Sequence, residues 1–192
     1  MKILTTPNKA LLEKVEPVIK FDNKLKKIIT EMSQILDATR DPVGVGLAAP
    51  QVGIPKRFFL AKPEENGKTF VFINPVVESE SSEKEIPKFA NSPKVEVRKP
   101  AKSKGKLLEG CLSIPSIWGN VSRKKSIKLS WQDINGRRRT RALTGFPAII
   151  IQHEIDHLDG ILFTKHVLAQ GETLYRSHKN KEGADEFEEI EV

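Results

Sequence analysis

The chain has 192 residues, enough for one sizeable domain, and its 38% hydrophobic and 30% charged residues are those of an ordinary soluble globular protein. No run approaches the roughly 18 apolar residues of a membrane span, no secretory or transit segment opens the chain, and its single cysteine excludes an intramolecular disulfide. A cytoplasmic location without a membrane partner is the expectation. The formal charge of +7 is uneven: Glu182 to Val192 hold six acidic residues and no basic one, which leaves about +13 on the rest. A solvated basic surface accounts for that excess, as does approach to a polyanion.

Residues Asp22 to Thr39 set Leu25, Ile28, Ile29, Met32, Ile35 and Leu36 at helical spacing behind an N-cap at Asp22 or Asn23, which predicts an amphipathic helix. The stretch "DPVGVGLAAPQVGIP" follows, too rich in glycine and proline for regular structure. Arg57 to Ala61 and Thr69 to Asn74 read as strands. Residues 78–106 are charged and dotted with proline, and read as a surface excursion around a strand at Val95 to Arg98. In "SIKLSWQDINGRRRTRAL", Ile127, Leu129 and Trp131 alternate inward and Asn135-Gly136 is a favoured two-residue turn, so a β-hairpin is predicted. Pro147 suits the first turn of another helix, and Gly160 the position just past its end. Between them Ala148, Ile149, Ile150, Ile151, Ile155 and Leu158 spread around the cylinder, which marks a buried helix. A second hairpin, Thr173 to Ser177 with Glu186 to Val192, closes the chain. The fold class is α+β: antiparallel or mixed sheets packed around one central helix, with the amphipathic helix near the N-terminus.

The central helix carries "QHEIDHLDG", in which His153 and His157 stand four residues apart on one face with Glu154 beside them. Three titratable groups in a buried helix are costly unless something pairs with them. A satisfied polar cluster is one answer; a cation that uses the groups is the better one. A zinc protease of the extended H-E-x-x-H-x-x-G-x-x-H type needs histidine at 163, where this chain has Phe163, although Gly160 is in place. The other large protease class takes a downstream glutamate from a helix, and Glu172 lies in a segment without helical pattern. The remaining strong ligand type is the thiolate of Cys111 in "EGCLSIP". Two imidazoles and one thiolate leave a fourth position open, which is the composition of a catalytic site.

Three stretches, "GVGLAAPQ" (44–51), "EGCLS" (109–113) and "QHEIDHLDG" (152–160), match in order the three motifs of peptide deformylase, and the chain resembles that family from "ILTTP" to about Phe163. The resemblance implies a hydrolase that removes the formyl group from formyl-methionine at the start of new polypeptides. It implies Cys111, His153 and His157 as metal ligands, Glu154 as general acid/base, and Gln51 with the backbone N–H of Leu112 as donors to the formyl oxygen. Val45, Gly46 and Gly110 fall where the family pairs its backbone with an extended peptide, consistent with glycines that permit close approach. Phe146, Ile149 and Ile150 are the expected wall of a methionine pocket, with core packing as the competing use of Ile150. One divalent ion is implied: Fe2+, with Zn2+, Ni2+ or Co2+ able to replace it, whereas ligand softness alone favours zinc. The partners implied are formyl-Met nascent peptides and, transiently, the ribosome, but not DNA. A zinc endopeptidase is the alternative activity, and a metal-binding module without catalysis leaves Glu154 and Gln51 without a role. On this reading 1–170 is the catalytic domain, with a charged insertion at about 78–106, and 171–192 an acidic extension. The insertion and the tail depart from the family's compact pattern and its common C-terminal helix.

Overall fold

The computed structural model describes residues 1–40, 43–63, 67–86, 107–183 and 185–191. Among the described residues, eleven strands form three antiparallel sheets: β1 (Gly46–Ala48), β2 (Phe58–Ala61), β3 (Phe70–Glu80), β4 (Lys84–Glu85), β5 (Glu109–Cys111), β6 (Ile114–Gly119), β7 (Arg123–Lys124), β8 (Ser126–Gln132), β9 (Arg138–Thr144), β10 (Leu174–Lys179) and β11 (Asp185–Ile190). The first sheet has the order β1-β2-β3-β8-β9, the second β11-β10-β6-β5, and β4 pairs with β7. The described residues also hold the α-helices α1 (Asn23–Ala38), α2 (Gly145–Leu158) and α3 (Phe163–Ala169), which makes the architecture mixed α+β.

The five-stranded sheet is covered on both faces. Leu47, Phe58, Leu60 and Ile73 pack with Leu25, Ile29, Met32 and Leu36 of α1. Their neighbours Ala48, Phe59, Ala61 and Phe72 point the other way, against Ala148, Ile150, Ile151 and Leu158 of α2. This is why β2 is an unbroken apolar run rather than an alternating one. Each fully buried Leu, Ile or Phe contributes about 1.5–3 kcal/mol, so these two layers dominate the stability of the fold. A third cluster joins β5 and β6 to α3 through Ile114, Val121, Phe163 and Val167. Helix α2 is the central element, with the five-stranded sheet on one side and β5 and β7 on the other.

Several expectations are met closely. Asp22 caps α1 by accepting the Leu25 N–H at 2.9 Å, and β8 and β9 pair in register from Ser126↔Thr144 to Gln132↔Arg138, although the turn takes three residues, Ile134 to Gly136, rather than the expected two, with the Asp133 N–H donating to the Arg137 carbonyl at 2.9 Å. Pro147 sits in the first turn of α2, where a missing N–H is harmless. Gly160 has φ +69 and a Cβ there would overlap the Leu12 carbonyl. The terminal hairpin exists, and β10 pairs with β6, so it extends the sheet that carries Cys111.

Three differences have physical causes. The glycine- and proline-rich stretch after α1 is not irregular throughout: it holds strand β1 and a short 3-10 helix, Ala49–Val52. Strand β3 runs past Asn74-Pro75 to Glu80 through a break in register. Asn74 takes φ 49 there while its side chain accepts the Val18 N–H and donates to the Val18 carbonyl, each at 2.8 Å, so the bulge that accommodates Pro75 is held from outside the sheet. Helix α2 begins at Gly145, before the apolar run. The strand expected at Val95 to Arg98 lies outside the described residues.

Candidate metal centre

Helix α2 turns His153, Glu154 and His157 toward β5, the last strand of its sheet, and β5 ends on Cys111. The Cys111 Sγ is 3.2 Å from His157 Nε2, and one ligand atom from each of Cys111, His153 and His157 lies within 4.8 Å of the others. A tetrahedral ion with bonds of about 2.0–2.3 Å keeps its ligand atoms roughly 3.3–3.7 Å apart, so the three donors need only small adjustments to share one. Their chemistry fits as well: burial disfavours the Cys111 thiolate, but the His157 and His153 imidazoles outweigh it and hold the thiol down at about 5.

The donor His153 is braced from behind. His153 Nδ1 is 3.1 Å from Glu109 Oε2, which leaves Nε2 for the centre. Glu109 is buried, yet the Arg123 guanidinium grips both its oxygens at 2.7 and 2.8 Å. Burial alone pushes the Glu109 carboxyl up; Arg123 and His153 overcome it and hold it at about 2. The third arm of Arg123 reaches Asp156 at 2.7 Å, and Asp156 also meets His166 Nε2 at 2.9 Å. A carboxylate behind a metal-binding histidine fixes its tautomer and ring orientation. Sequence reading passed over Glu109, Arg123, Asp156 and His166. The one available signal was a set of charges inside otherwise buried motifs.

Glu154 is 4% exposed, and among the described residues its Oε2 has no hydrogen-bond partner. Its burial pushes the carboxyl up to about 7 against the pull of the two imidazoles. The carboxylate packs directly over Gly46, so closely that a Cβ on residue 46 would overlap it. Gln51 is equally fixed: its Oε1 accepts the Ala48 N–H at 2.7 Å, and its Nε2 donates to Ser113 Oγ at 3.1 Å with Cys111 Sγ at 3.6 Å. The side-chain amide therefore stands beside the thiolate. Leu112 follows Cys111, half-buried against the core shared with α1.

Among the described residues two sheet edges flank the centre, β1 with Gly46 and β5 with Gly110. A Cβ at Gly110 would come within 2.7 Å of the Trp118 ring, so this residue too is glycine for space. Val45, expected along the peptide backbone, and Phe146, expected in the pocket, are each partly buried against one apolar cluster. Ile149 and Ile150 are buried at 5% and 4%, and Ile150 packs in the core between α2 and the sheet. An open groove of about 360 Å³ starts at Cys111 and Leu112 and runs toward β10.

A family model described as polypeptide deformylase matches residues 1–172. The chain belongs to the peptide deformylase family. It is 34% identical to the peptide deformylase of Rhodopirellula baltica, over 89% of this chain and 75% of that one. To the peptide deformylase of Desulfotalea psychrophila it is 32% identical, over 94% and 95%. Among solved structures it is similar to a peptide deformylase from Thermotoga maritima, with a TM-score of 0.70 and 33% identity over 86% of this chain and 95% of that one. The enzyme is thus a metal-dependent hydrolase that removes the N-formyl group from formyl-methionine of newly made polypeptides, and the endopeptidase alternative falls away. Among the described residues no helix is long and apolar enough to cross a membrane.

Proposed function

We propose that Cys111, His153 and His157 hold one ferrous ion and that Glu154, Gln51 and the Leu112 N–H carry out deformylation around it. The observation that carries this reading is the convergence of the three donors within 4.8 Å, with the partnerless carboxylate oxygen of Glu154 in the same buried space. Bound there, a divalent cation supplies Lewis acidity toward water and the formyl carbonyl. Glu154 takes the proton of the attacking water and returns one to the leaving amine; a carboxyl raised toward neutrality suits both steps. Gln51 Nε2 donates to the oxyanion, since its amide is already anchored through Oε1 and needs no reorganisation. Gly46 and Gly110, on two sheet edges, hydrogen-bond the peptide as an added strand, with Val45 beside Gly46 and its own carbonyl taken by the Lys62 N–H at 2.8 Å. Phe146 and Ile149 receive the methionine side chain, while Ile150, expected beside them, serves the core between α2 and the sheet. Residues 1–170 form the catalytic unit and 171–192 its extension.

The supporting experiment is metal analysis of protein purified without oxygen, alongside formate release from formyl-Met-Ala-Ser. Iron near one per chain, with activity lost on chelation and restored by Fe2+, is the expected result. Full activity in metal-free protein would overturn the reading.

The enzyme works in the cytoplasm, on nascent chains at the ribosome. The net charge of about +13 outside the tail suits approach to ribosomal RNA. The basic segment "RKPAKSKGK" (98–106), with no acidic residue, lies outside the described residues. Binding to ribosomes should weaken steeply with salt as counterions are released; absence of binding at low salt would refute the contact.

A further inference from the structure

We propose that the start of α1 and the tip of the β8–β9 hairpin together form a docking surface for duplex RNA, on the face of the five-stranded sheet opposite α2. It goes beyond deformylation, and takes from the ribosomal approach proposed above only the place where such RNA is met.

Two segments far apart in sequence are locked side by side here. The Asn74 side chain holds the Val18 backbone and donates to Gln132 Oε1 at 2.8 Å, and Gln132 Nε2 donates to the Gly136 carbonyl at 3.3 Å. The Phe21 ring lies against the turn: a Cβ on Gly136 would stand 3.5 Å from it. Phe21, Ile28 and Ile134 pack on the apolar cluster beneath α1. This contact brings the segment that bears Lys20, Lys24 and Lys27 against the one that bears Arg137, Arg138 and Arg139, and all six side chains are exposed.

The fold answers only part of that charge. Arg138 pairs with Glu78 at 2.7 Å and Arg139 with Asp133 at 2.8 Å. Among the described residues Lys20, Lys24, Lys27 and Arg137 make no ion pair. The nearby acids are engaged: Asp22 caps α1, and Asp133 also accepts the Asn135 and Arg137 N–H groups. Glu31, one turn beyond Lys27, pairs with none of them. The first turn of α1 holds no acid. Lysines there oppose the helix dipole, so folding itself gives no reason for them. A polyanion does.

A phosphate backbone is the polyanion this surface fits. Arginine forks match phosphate oxygens and lysines add point charges, and duplex RNA is held mostly by its shape and its backbone. An anionic membrane would need an apolar face to bury beside the charges. The apolar residues of α1, Leu25, Ile29, Met32 and Leu36, are instead packed into the core. Helix α2 packs on the opposite face of the sheet, so bound RNA leaves the metal centre open.

The test follows the anisotropy of a fluorescein-labelled RNA hairpin of about 16 base pairs with the metal-loaded full chain. Between about 50 and 200 mM salt its Kd should rise by about 10²-fold or more as counterions are released. The triple variant Lys20→Gln, Lys24→Gln, Lys27→Gln should bind at least roughly tenfold more weakly, with a salt slope smaller by about two to three. Arginine at the same three positions should restore both. Arg137→Gln should lower the slope by about one. Formate release from formyl-Met-Ala-Ser should match wild type in every variant. A control that removes the same charge elsewhere, Lys9→Gln, Lys165→Gln, Lys181→Gln, should bind RNA as wild type does. An equal loss in that control, binding indifferent to salt, or no binding at low salt would overturn the proposal. So would capture of phosphatidylglycerol–phosphatidylcholine vesicles through these lysines with the RNA ignored. Ribosomes that sediment wild type and the triple variant equally would leave the ribosomal contact standing and overturn this surface.

Discussion

Gly46 and Glu154 meet at one point: the carboxylate of the glutamate fills the space that a side chain on residue 46 would need. The strand edge offered to a peptide and the proposed proton carrier are thus in direct contact. Gly46→Ala should displace Glu154 while leaving all three metal ligands in place. Formate release should fall about 10²–10⁴-fold, the usual contribution of general acid–base catalysis, at unchanged metal content. Activity within a factor of two of wild type would show that Glu154 has another station during turnover.

Cys111→Ser should lose metal and activity together, because a hydroxyl does not ionise where the thiol does. Metal analysis after gel filtration, paired with the formate assay, decides the matter. Stoichiometric metal in the variant would remove Cys111 from the ligand set.

Gln51→Leu separates catalysis from ligation. The leucine cannot accept the Ala48 N–H or donate toward the centre, yet no ligand is changed. Turnover should drop about 10²–10³-fold with metal retained. A rise in KM alone, with turnover intact, would make Gln51 a ground-state contact.

Arg123→Met tests the bracing layer. It strips Glu109 of both guanidinium bonds and leaves a buried carboxylate without its cation, a loss of about 3–5 kcal/mol when one partner of such a pair is removed. Thermal unfolding should shift down accordingly, and metal affinity should weaken about 10- to 100-fold as His153 loses its fixed support. Wild-type melting and affinity would mean that Glu109 protonates and holds His153 as a neutral acid.

Much of this was legible in the chain because it is local. Helix α1 is written in its cap and its spacing, the place of the β8–β9 hairpin in Asn135-Gly136, whose turn is one residue longer than expected, and the burial of α2 in an apolar circumference. The three candidate donors were legible through pattern and elimination, and the structure brings them together. The bracing layer was not, because Glu109, Arg123, Asp156 and His166 meet across 10 to 33 residues of sequence and look like surface charges until the fold buries them. Strand β3 outruns the expected Thr69 to Asn74, because Pro75, which forbids an interior ladder bond, marks a stop in the sequence alone. The anchor that lets it pass, Asn74 on Val18, spans 56 positions and leaves no local trace. Helix α3 and the 3-10 turn at Ala49–Val52 are too short for periodicity to register.

Cys111 is the only thiol in the chain, and it is buried at the centre itself. A colorimetric thiol count under native conditions is therefore also a census of vacant sites. Protein whose cation is in place should react sluggishly, stripped protein should yield up to one equivalent, and the fraction that reacts quickly measures how much of a preparation is ready to work. The same arithmetic gives a preparation a shelf-life clock, since each chain that loses its thiol to air is one fewer active molecule, with no second sulfhydryl to blur the tally.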